Sequence, residues 1–583
     1  MDYLGSKSPY TINKSTNIIL RVESLKTHFA TKPDLIKAVD GISFDLCLGE
    51  TIGIVGESGS GKSVSMLSIL QLIESPGKVV DGAVTYFDEN ASIDLLSLSE
   101  YEISKYRGAK IGMIYQQAIS SFNPVQKIGK QLKEAVLIHN KSSVGLDLLL
   151  KDLLQKVELQ DYERILAAYP HQLSGGQLQR FMIAMAIINK PKILIADEPT
   201  TGLDVITQKS VLKLLLNLKE ELGMSMIFIS HDLGVISEMA DRTIVMKQGV
   251  IVEKGKTEDL FTKPQSPYAQ ALLLCRPSIK YKSRRLPTYE VLSNGVDVNS
   301  KIFAPFTSDE IRSHQSLMQS APIILNACGL NKSFNDQNGV FKKPKNQVHA
   351  VIDLSFELRK GEVLGVVGES GSGKSTLAML LLNLELPDSG AVYYEGVSIQ
   401  ALSKKEFKPF RKALQIIFQD VNGSLDPKMS VGAVIEFALK IHFPQASKKE
   451  RKQRVINLLD QVGLSDKYLS RLPHELSGGE KQRVCIARAI SVEPKVLICD
   501  ECVSALDVSV QAQILNLLLD LRDILGLSLI FISHDISVIN FMSDRILVMQ
   551  EGRVVERGYT TAVLSHPKVE YTRMLLDSIP SGS

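Results

Sequence analysis

The feature that most constrains this 583-residue chain is a long internal duplication. The stretch GIVGESGSGKS at Gly53–Ser63 recurs as GVVGESGSGKS at Gly365–Ser375, and LSGGQLQR at Leu173–Arg180 recurs as LSGGEKQR at Leu476–Arg483. Short repeats of 20–50 residues build solenoids or propellers, whereas this repeat is as long as a whole domain. The sequence therefore predicts two copies of one domain.

The spacing of the repeated motifs shows where the copies differ. Gln116 and Asp197 each recur 303 positions later, whereas Lys62 recurs 312 positions later. The second copy therefore lacks nine residues between its first motif and its second. We place the first domain at residues 1–276 and the second at 323–583.

Residues 277–322 join the two predicted domains. Four prolines, Pro277, Pro287, Pro305 and Pro322, fall at its ends and in its interior, among many serines and asparagines. Such a composition breaks helices and strands alike, so the segment is predicted to be a surface linker. Even as a loose coil, forty-odd residues span tens of ångströms, which permits the two domains to face each other.

Composition excludes several classes of protein. The 67 Lys+Arg nearly balance the 64 Asp+Glu, which argues against a dedicated nucleic-acid binder. Six cysteines are too few for a disulfide framework, which favours a reducing compartment. The first residues lack the apolar core of a secretory signal, and no apolar run reaches the roughly 18 residues of a spanning helix.

The first repeated motif predicts a phosphate site. GxxxxGKS at Gly56–Ser63 follows a short apolar run, Thr51–Val55, and precedes a helical pattern. In this context the glycines let backbone N–H groups wrap a phosphate at a helix start. Lys62 would reach the β- and γ-phosphates, and the Ser63 hydroxyl would bind Mg²⁺. Gly368–Ser375 repeats the whole arrangement.

Acidic and histidine residues end the next apolar strands of each copy. Asp197 and Glu198 follow the run Ile193–Ala196, and His231 follows a second apolar run. Ligands of open α/β sheets bind beyond the carboxyl ends of strands, so these side chains should meet the phosphates. We expect the aspartate to hold Mg²⁺, the glutamate to orient or deprotonate the attacking water, and the histidine to contact the γ-phosphate. Asp500, Glu501 and His534 are their counterparts.

The LSGG motif adds a second anion-binding helix start to each copy. Ser174 is suited to cap a helix that begins at Gly175–Gly176, which leaves N–H groups free to meet an anion. A domain that already has a phosphate loop gains little from this feature alone. It is explained if the motif serves a phosphate held by the other domain.

These ordered motifs resemble the nucleotide-binding domains of ATP-binding cassette transporters, over nearly the whole chain. The resemblance implies an α/β fold of two tandem P-loop NTPase domains, each with a mostly parallel core sheet, an antiparallel β-subdomain and a helical subdomain. It also implies ATP and Mg²⁺ as cofactors and a head-to-tail sandwich. One ATP would lie between the Lys62 loop and Ser477, and the other between the Lys374 loop and Ser174.

The resemblance assigns roles to individual residues. Gln116 and Gln419 match the Q-loop glutamine, Asp204 and Asp507 match the D-loop, and Phe29 and Phe334 are candidates to stack on adenine. The predicted catalytic residues are Glu198, Glu501, His231, His534, Gln116 and Gln419. The predicted metal ligands are Ser63, Gln116, Asp197, Ser375, Gln419 and Asp500. The predicted nucleotide-binding residues are Phe29, Gly56, Glu57, Ser58, Gly59, Ser60, Gly61, Lys62, Ser63, Val64, Ser174, Gly175, Gly176, Gln177, Asp204, Phe334, Gly368, Glu369, Ser370, Gly371, Ser372, Gly373, Lys374, Ser375, Thr376, Ser477, Gly478, Gly479, Glu480 and Asp507.

Accessory sequences narrow the subfamily. FQDVNGSLDP (Phe418–Pro427), SALDVSVQAQ (Ser504–Gln513) and the closing HPKVEYTRMLL (His566–Leu575) resemble the ATPases of oligopeptide, dipeptide and nickel importers. The first copy ends similarly, in KPQSPYAQALLLCRP (Lys263–Pro277). Some members carry a cysteine cluster after the nucleotide domain that resembles an iron–sulfur site, but only Cys275 lies in that region, so no cluster is expected.

The leading interpretation is therefore the fused ATPase of a peptide-type importer. Its implied partners are two membrane permeases and, indirectly, an extracytoplasmic solute-binding protein, with no nucleic acid. Its implied location is peripheral, on the cytoplasmic face of the inner membrane. The coupling surface would lie near Gln116–Pro124 and Gln419–Pro427.

Other functions stay open as alternatives. A soluble twin-cassette factor acting on the ribosome typically has a long charged helical linker, which the four prolines disfavour. A DNA-repair cassette ATPase carries zinc modules, for which the cysteines are too few. A sugar-importer cassette pair usually has a degenerate second site, whereas Lys374, Glu501 and His534 are all present. Dipeptides, oligopeptides, glutathione-like thiols, peptide antibiotics and nickel chelates all remain open as cargo.

Overall fold

The structure is a computed structural model. It describes residues 18–30, 35–88, 91–116, 118–139, 145–297, 300–335 and 347–580. The chain divides into two compact units. The first contains the residues up to Thr201 together with Ser210–Ala269, and the second contains Gly202–Lys209 and the chain from Gln270 onward.

The described residues of the first copy form two sheets. A four-stranded sheet has the order β2-β1-β4-β5 and is antiparallel throughout. A six-stranded sheet has the order β10-β9-β3-β8-β7-β6 and is parallel except for its edge strand β10. The strands are β1 (Ile18–Ala30), β2 (Leu35–Cys47), β3 (Thr51–Val55), β4 (Gly77–Asp88), β5 (Ala91–Asp94), β6 (Ile111–Ile114), β7 (Ile193–Asp197), β8 (Ser225–Ile229), β9 (Arg242–Lys247) and β10 (Val250–Lys256).

The parallel strands at the centre are short and fully buried. Every residue of β3, β7 and β8 is buried, as expected of a parallel sheet covered on both faces. The helices of this copy are α1 (Lys62–Ile69), α2 (Glu100–Ile103), α3 (Ile128–Leu137), α4 (Leu146–Lys156), α5 (Tyr162–Ala167), α6 (Gly175–Ile187), α7 (Val205–Leu222), α8 (Leu233–Met239), α9 (Thr257–Thr262) and α10 (Pro267–Leu274).

The described part of the joining segment contains two helices, α11 (Tyr289–Ser293) and α12 (Ser308–Ser320). The expectation that its prolines break all regular structure is wrong. The prolines lie outside both helices, and α12 begins with a capping box in which Thr307 accepts a hydrogen bond from the Glu310 N–H.

The joining segment is also bound closely to the second copy within the second unit. The Asn516 side chain accepts a hydrogen bond from the Leu286 N–H and donates one to the Leu286 carbonyl. The Asn540 amide donates to the Ser278 carbonyl. These bonds satisfy backbone groups that have no partner in a sheet or helix, so the segment follows a fixed path over the second copy.

The second copy repeats the architecture of the first. Its sheets have the orders β12-β11-β14-β15 and β16-β17-β18-β13-β19-β20. Its strands are β11 (Ile323–Asn335), β12 (Gln347–Arg359), β13 (Val363–Val367), β14 (Ser389–Tyr394), β15 (Val397–Ser398), β16 (Leu414–Ile417), β17 (Val496–Asp500), β18 (Ser528–Ile532), β19 (Arg545–Gln550) and β20 (Arg553–Tyr559). Its helices are α13 (Lys374–Leu381), α14 (Lys408–Ala413), α15 (Val421–Ser424), α16 (Val431–His442), α17 (Lys448–Gln461), α18 (Gly478–Ile490), α19 (Val508–Leu525), α20 (Ile536–Met542), α21 (Thr560–Ser565) and α22 (Glu570–Asp577).

Among the described residues, no helix is both long and apolar enough to span a bilayer.

A buried carboxylate anchors the joining segment to the second copy. Asp544 accepts a hydrogen bond from the Val363 N–H at 2.9 Å, and its other oxygen lies 3.0 Å from His314 Nε2 and 3.7 Å from Lys282 Nζ. Burial alone would raise the pKa of this carboxyl, but Lys282 and the bonds from His314 and Val363 outweigh burial and lower the pKa to about 2.

Replacement of Asp544 by Asn should destabilise the second unit by about 3–5 kcal/mol, because it leaves the buried Lys282 ammonium without its anion. The folded pKa lies below the unfolded value of about 3.9, so the stabilisation is complete above that pH. It is lost as the pH falls towards about 2. Hydrogen exchange of β13 and β19 measures the change.

Asp241→Asn is the matched control in the first unit. Asp241 accepts the corresponding hydrogen bond from the Thr51 N–H, but its side chain is 54% exposed and Lys219 is 3.8 Å away. The control should cost about 1 kcal/mol or less. Equal losses in both variants would contradict the assignment of a buried anchor.

Candidate active site

The sheet order brings the predicted site residues of each copy to one edge. In the first copy β3 lies beside β8, and β8 lies beside β7, with all three parallel. Their carboxyl ends are therefore adjacent, and they lead into the glycine loop, Ser230–His231 and Glu198 respectively. This edge is where open α/β sheets bind ligands.

The glycine loop folds around the lysine that follows it. Lys62 Nζ donates to the Gly56 carbonyl at 2.7 Å and to the Glu57 carbonyl at 3.0 Å, and the side chain is buried. Lys374 makes the same two bonds to Gly368 and Glu369, at 2.8 and 2.7 Å. These contacts hold each loop in a closed curve at the start of a helix, the geometry that receives a phosphate.

A tyrosine from the end of each copy supports the glycine loop. The Tyr268 hydroxyl accepts a hydrogen bond from the Glu57 N–H at 3.2 Å, and the Tyr571 hydroxyl accepts one from the Glu369 N–H at 3.0 Å. Sequence reasoning missed this role. The two tyrosines lie 303 positions apart, the same spacing as the later motifs, so the signal was present in the repeat.

Glu198 is the centre of a polar cluster in the first copy. Its Oε2 accepts hydrogen bonds from Gln116 Nε2 at 2.8 Å and Thr201 Oγ1 at 2.9 Å, and it lies 3.2 Å from His231 Nδ1. Burial opposes ionisation, but His231, Thr201 and the Lys62 charge together outweigh it, and the pKa of Glu198 falls to about 2. The carboxylate is thus ionised at neutral pH. Thr201 was not predicted from the sequence.

Glu501 has nearly the same surroundings in the second copy. Its Oε2 accepts from Gln419 Nε2 at 2.8 Å and lies 3.3 Å from His534 Nδ1. Burial acts against charge on both groups, yet their contact lowers the pKa of Glu501 and raises that of His534. Ser504, the counterpart of Thr201, donates to the Glu501 backbone carbonyl instead of to the carboxylate.

The neighbouring aspartates have oxygen atoms suited to a metal ion. Asp197 and Asp500 are buried, and within the described part of the chain the Oδ1 atom of each has no hydrogen-bond partner. The P-loop serines Ser63 and Ser375 act on the pKa of these two carboxyls and lower it. Burial raises the pKa of Asp197 to about 6, against the effect of Ser63. A buried, unpartnered carboxylate oxygen beside a hydroxyl fits Mg²⁺, which prefers oxygen ligands.

The LSGG motifs form the predicted helix starts. Ser174 caps α6 by accepting from the Gln177 N–H, and Ser477 caps α18 by accepting from the Glu480 N–H. Glu480 also accepts a hydrogen bond from the Tyr468 hydroxyl. The second signature thus has an acidic side chain where the first has an amide, with an additional bond that fixes it. The nucleotide contacts of these residues stay predictions.

A cavity of about 220 Å³ lies over the second P-loop, within the second unit. Its lining includes Lys374, Glu501 and His534. Asp204 also lines it, as part of the segment that belongs to this unit. Of the adenine candidates, Phe334 is half-exposed and pairs across the sheet with Val348, which lines the cavity.

The other adenine candidate, Phe29, has a more enclosed position. A Cβ atom built on Gly77 would lie 2.5 Å from the Phe29 ring, so the ring packs closely on the neighbouring strand β4. Phe29 and Phe334 both stay predictions as adenine-stacking residues.

Comparisons with known proteins follow the same division of the chain. The family described as "ABC transporter" matches residues 39–201 and 351–504, and "Oligopeptide/dipeptide transporter, C-terminal region" matches 252–298 and 555–582. The chain belongs to the ABC transporter family. These matches confirm the predicted fold class and the predicted ATPase, of the oligopeptide/dipeptide type.

Relatives cover almost the whole chain. A "Glutathione import ATP-binding protein GsiA" of Salmonella choleraesuis (strain SC-B67) is 41% identical over 581 residues, covering 98% of this chain and 91% of the relative. The protein of the same name from Escherichia coli O6:H1 (strain CFT073) is 40% identical over 580 residues, with the same coverage. These relatives confirm the predicted function, that of an ATP-hydrolysing subunit of a peptide-type importer.

The P-loop glycines yield a test of the loop geometry. Gly373 has a φ of 98°, and a Cβ atom there would lie 2.1 Å from the Ala350 carbonyl oxygen. Gly373→Ala should therefore displace the loop, lower the melting temperature without nucleotide by several degrees and abolish ATP binding at this site. Differential scanning calorimetry and a nucleotide-binding assay measure the two effects.

Gly371→Ala is the control for backbone strain alone. Gly371 has a φ of 81°, but among the described residues no atom beyond its chain neighbours lies within 4 Å of the Cβ position. The variant should cost only about 1 kcal/mol of stability. If Gly371→Ala destabilised the protein as much as Gly373→Ala, close packing of the loop against β12 would not be the cause.

Proposed function

We propose that the chain hydrolyses two ATP molecules, one at each P-loop. The observation that carries this proposal is the recurrence of the same ionised cluster in both copies: Gln116 and His231 on Glu198, and Gln419 and His534 on Glu501. An ionised carboxylate next to a phosphate site can accept a hydrogen bond from the attacking water. This contact orients the lone pair of the water towards the γ-phosphate.

We propose that Mg²⁺ is bound at each site by the P-loop serine, the buried aspartate and the Q-loop glutamine. In the first copy these are Ser63, Asp197 and Gln116. The unpartnered Oδ1 of Asp197 supports this assignment, since an ion would satisfy it. When bound, Mg²⁺ would supply positive charge that partly neutralises the phosphate oxygens. The chain's own lysine and loop N–H groups position the phosphates, and the glutamate positions the water.

We propose that the signature motifs complete the opposite sites. The helix start capped by Ser477 would meet the phosphate held by the Lys62 loop, and that capped by Ser174 would meet the phosphate held by the Lys374 loop. The capped starts of α6 and α18 support this arrangement, because each offers N–H groups to an anion. The lining of the second P-loop cavity by Asp204 is consistent with its D-loop role, and Asp507 is proposed to act similarly.

ATP hydrolysis in this family drives membrane permeases. We propose two permeases, contacted near Gln116–Pro124 and Gln419–Pro427, and a solute-binding protein outside the membrane. Gln117 of the first surface lies outside the described residues. The ATPase would act at the cytoplasmic face of the inner membrane, without nucleic acid or an iron–sulfur cluster.

The cargo and the domain boundaries are further parts of the proposal. Because the relatives named above are glutathione import proteins, we propose a peptide-type solute, glutathione included, as the cargo. We propose domains at 1–276 and 323–583, with 277–322 as the linker between them.

Replacement of the proposed catalytic glutamates tests the proposal. Glu198→Gln and Glu501→Gln should each remove more than half of the ATPase rate, since the sites are coupled. The double variant should lose about 100-fold or more, because an amide cannot accept the proton. ATP binding should persist in all three. Phosphate release measured with and without permease-containing membranes gives the rates.

Glu395→Gln is the matched control. Glu395 has a φ of 47°, close to the 45° of Glu501, but it lies in the turn between β14 and β15. Its replacement should leave the rate unchanged. Full activity in the double variant would exclude these glutamates from catalysis, and a rate that responds to ribosomes but not to permeases would favour the soluble-factor function.

A further inference from the structure

A second cavity, of about 500 Å³, lies in the second unit away from the P-loop. One wall is the joining segment, with Lys282 and α12, and the other is the second copy, with β12, Phe541 and Tyr559. Its volume falls in the range of small-molecule sites, about 300–1,000 Å³. Neither the ATPase chemistry nor the proposed coupling surface uses it.

Most charges in this wall are paired with one another. Arg284 contacts Glu310, and Arg285 contacts Asp520. Arg545 lies 3.1 Å from Glu362. Charged groups paired in this way bind a ligand poorly, because the ligand would first have to break an existing ion pair.

Glu357 is different, and the internal repeat shows why. In the first copy its counterpart Asp45 accepts a hydrogen bond from Arg21 Nε at 2.9 Å, and these two residues lie opposite each other on β1 and β2. In the second copy Asn326 occupies the position of Arg21, opposite Glu357. Within the described ranges of the chain, Glu357 has no side-chain ion pair or hydrogen bond. The carboxylate is therefore available to a cation in the cavity.

Arg359 provides the opposite charge two residues along the same strand. It replaces Cys47 of the first copy, and both Glu357 and Arg359 line the cavity. Its NH1 donates to the carbonyls of Gln319 and Ala321, both at 2.8 Å. It has no ion pair with a described carboxylate, so guanidinium N–H groups beyond NH1 remain for a ligand.

The backbone spacing of Glu357 and Arg359 on β12 suggests the size of the ligand. Residues i and i+2 of a strand lie on the same face, about 7 Å apart along the chain. Two residues of extended peptide also span about 7 Å. Apolar side chains in the wall, such as Met318 and Phe541, would contact an apolar side chain of such a ligand.

We propose that this cavity binds a small zwitterion of dipeptide size, with its ammonium on Glu357 and its carboxylate on Arg359. The site needs neither ATP nor a permease, so it goes beyond the proposed function. Because Arg359 also holds the carbonyls at the end of α12, the ligand would tie the joining segment more firmly to β12.

Isothermal titration of the full chain with glycyl-leucine, without nucleotide, tests the proposal. We expect saturable binding with a dissociation constant below about 1 mM. N-acetyl-glycyl-leucine amide, which lacks both terminal charges, should bind at least about tenfold more weakly. Glu357→Gln should weaken glycyl-leucine binding by a similar factor.

Two further variants make the result specific. Arg359→Met should also weaken binding about tenfold or more, and hydrogen exchange of Ser308–Ser320 without ligand reports whether α12 stays in place. Asp45→Asn, the same change at the corresponding position of the first copy, should bind glycyl-leucine as the unmodified chain does.

Three results would overturn the proposal. They are no binding of glycyl-leucine up to about 10 mM, equal binding of the uncharged analogue, and unchanged binding in Glu357→Gln. Unchanged binding in Glu357→Gln would overturn the proposal even if Arg359→Met loosens α12. Among the described residues, Glu357 makes no side-chain hydrogen bond or ion pair to this helix.

Discussion

The site of each copy depends on one geometric constraint, the adjacency of carboxyl ends in a parallel sheet. Three buried five-residue strands end side by side, and each passes directly into a functional loop. Because the three strands run parallel in neighbouring positions, the loops that follow them leave from the same edge of the sheet. The lysine, the acidic pair and the histidine are therefore brought together by the burial of residues that perform no chemistry.

Much of this arrangement could be predicted from the sequence. The runs Thr51–Val55 and Ile193–Ala196 are apolar without alternation, and they end at motif residues, so strand ends and site residues coincide. The structure places these strands as expected, with β7 one residue longer, to Asp197. A motif that recurs in both copies is stronger evidence for a site than a motif that occurs once, because the second copy repeats the same residues in the same order.

Some features of the joining segment and of the two sites could not be predicted from local sequence patterns. The sequence TSDE at Thr307–Glu310 is a capping-box pattern that predicts a helix start, but the surrounding prolines favour a loop. The hydrogen bond from Thr201 to Glu198 depends on a side-chain rotamer, and whether the Glu357 carboxylate is paired depends on which residue of β11 lies opposite it. Registers of this kind are fixed by tertiary packing, so local patterns do not reveal them.

The two copies agree in their central chemistry and differ around it. Lysine, aspartate, glutamate, glutamine and histidine recur without exception, whereas Thr201 is replaced by Ser504, and Gln177 by Glu480. Further departures lie where the joining segment meets β12, with Asn326 in place of Arg21 and Arg359 in place of Cys47. The two copies have thus kept the same polar cluster beside each glycine loop, while the surrounding residues differ.

The presence of two working phosphate loops can be tested by counting the nucleotides that one chain binds. Native mass spectrometry of the full chain, saturated with a slowly hydrolysed ATP analogue and Mg²⁺, counts them without dependence on permeases or cargo. Two complete phosphate loops predict two nucleotides on each 64.3 kDa chain. If a chain never binds more than one nucleotide, the two P-loops do not both bind ATP.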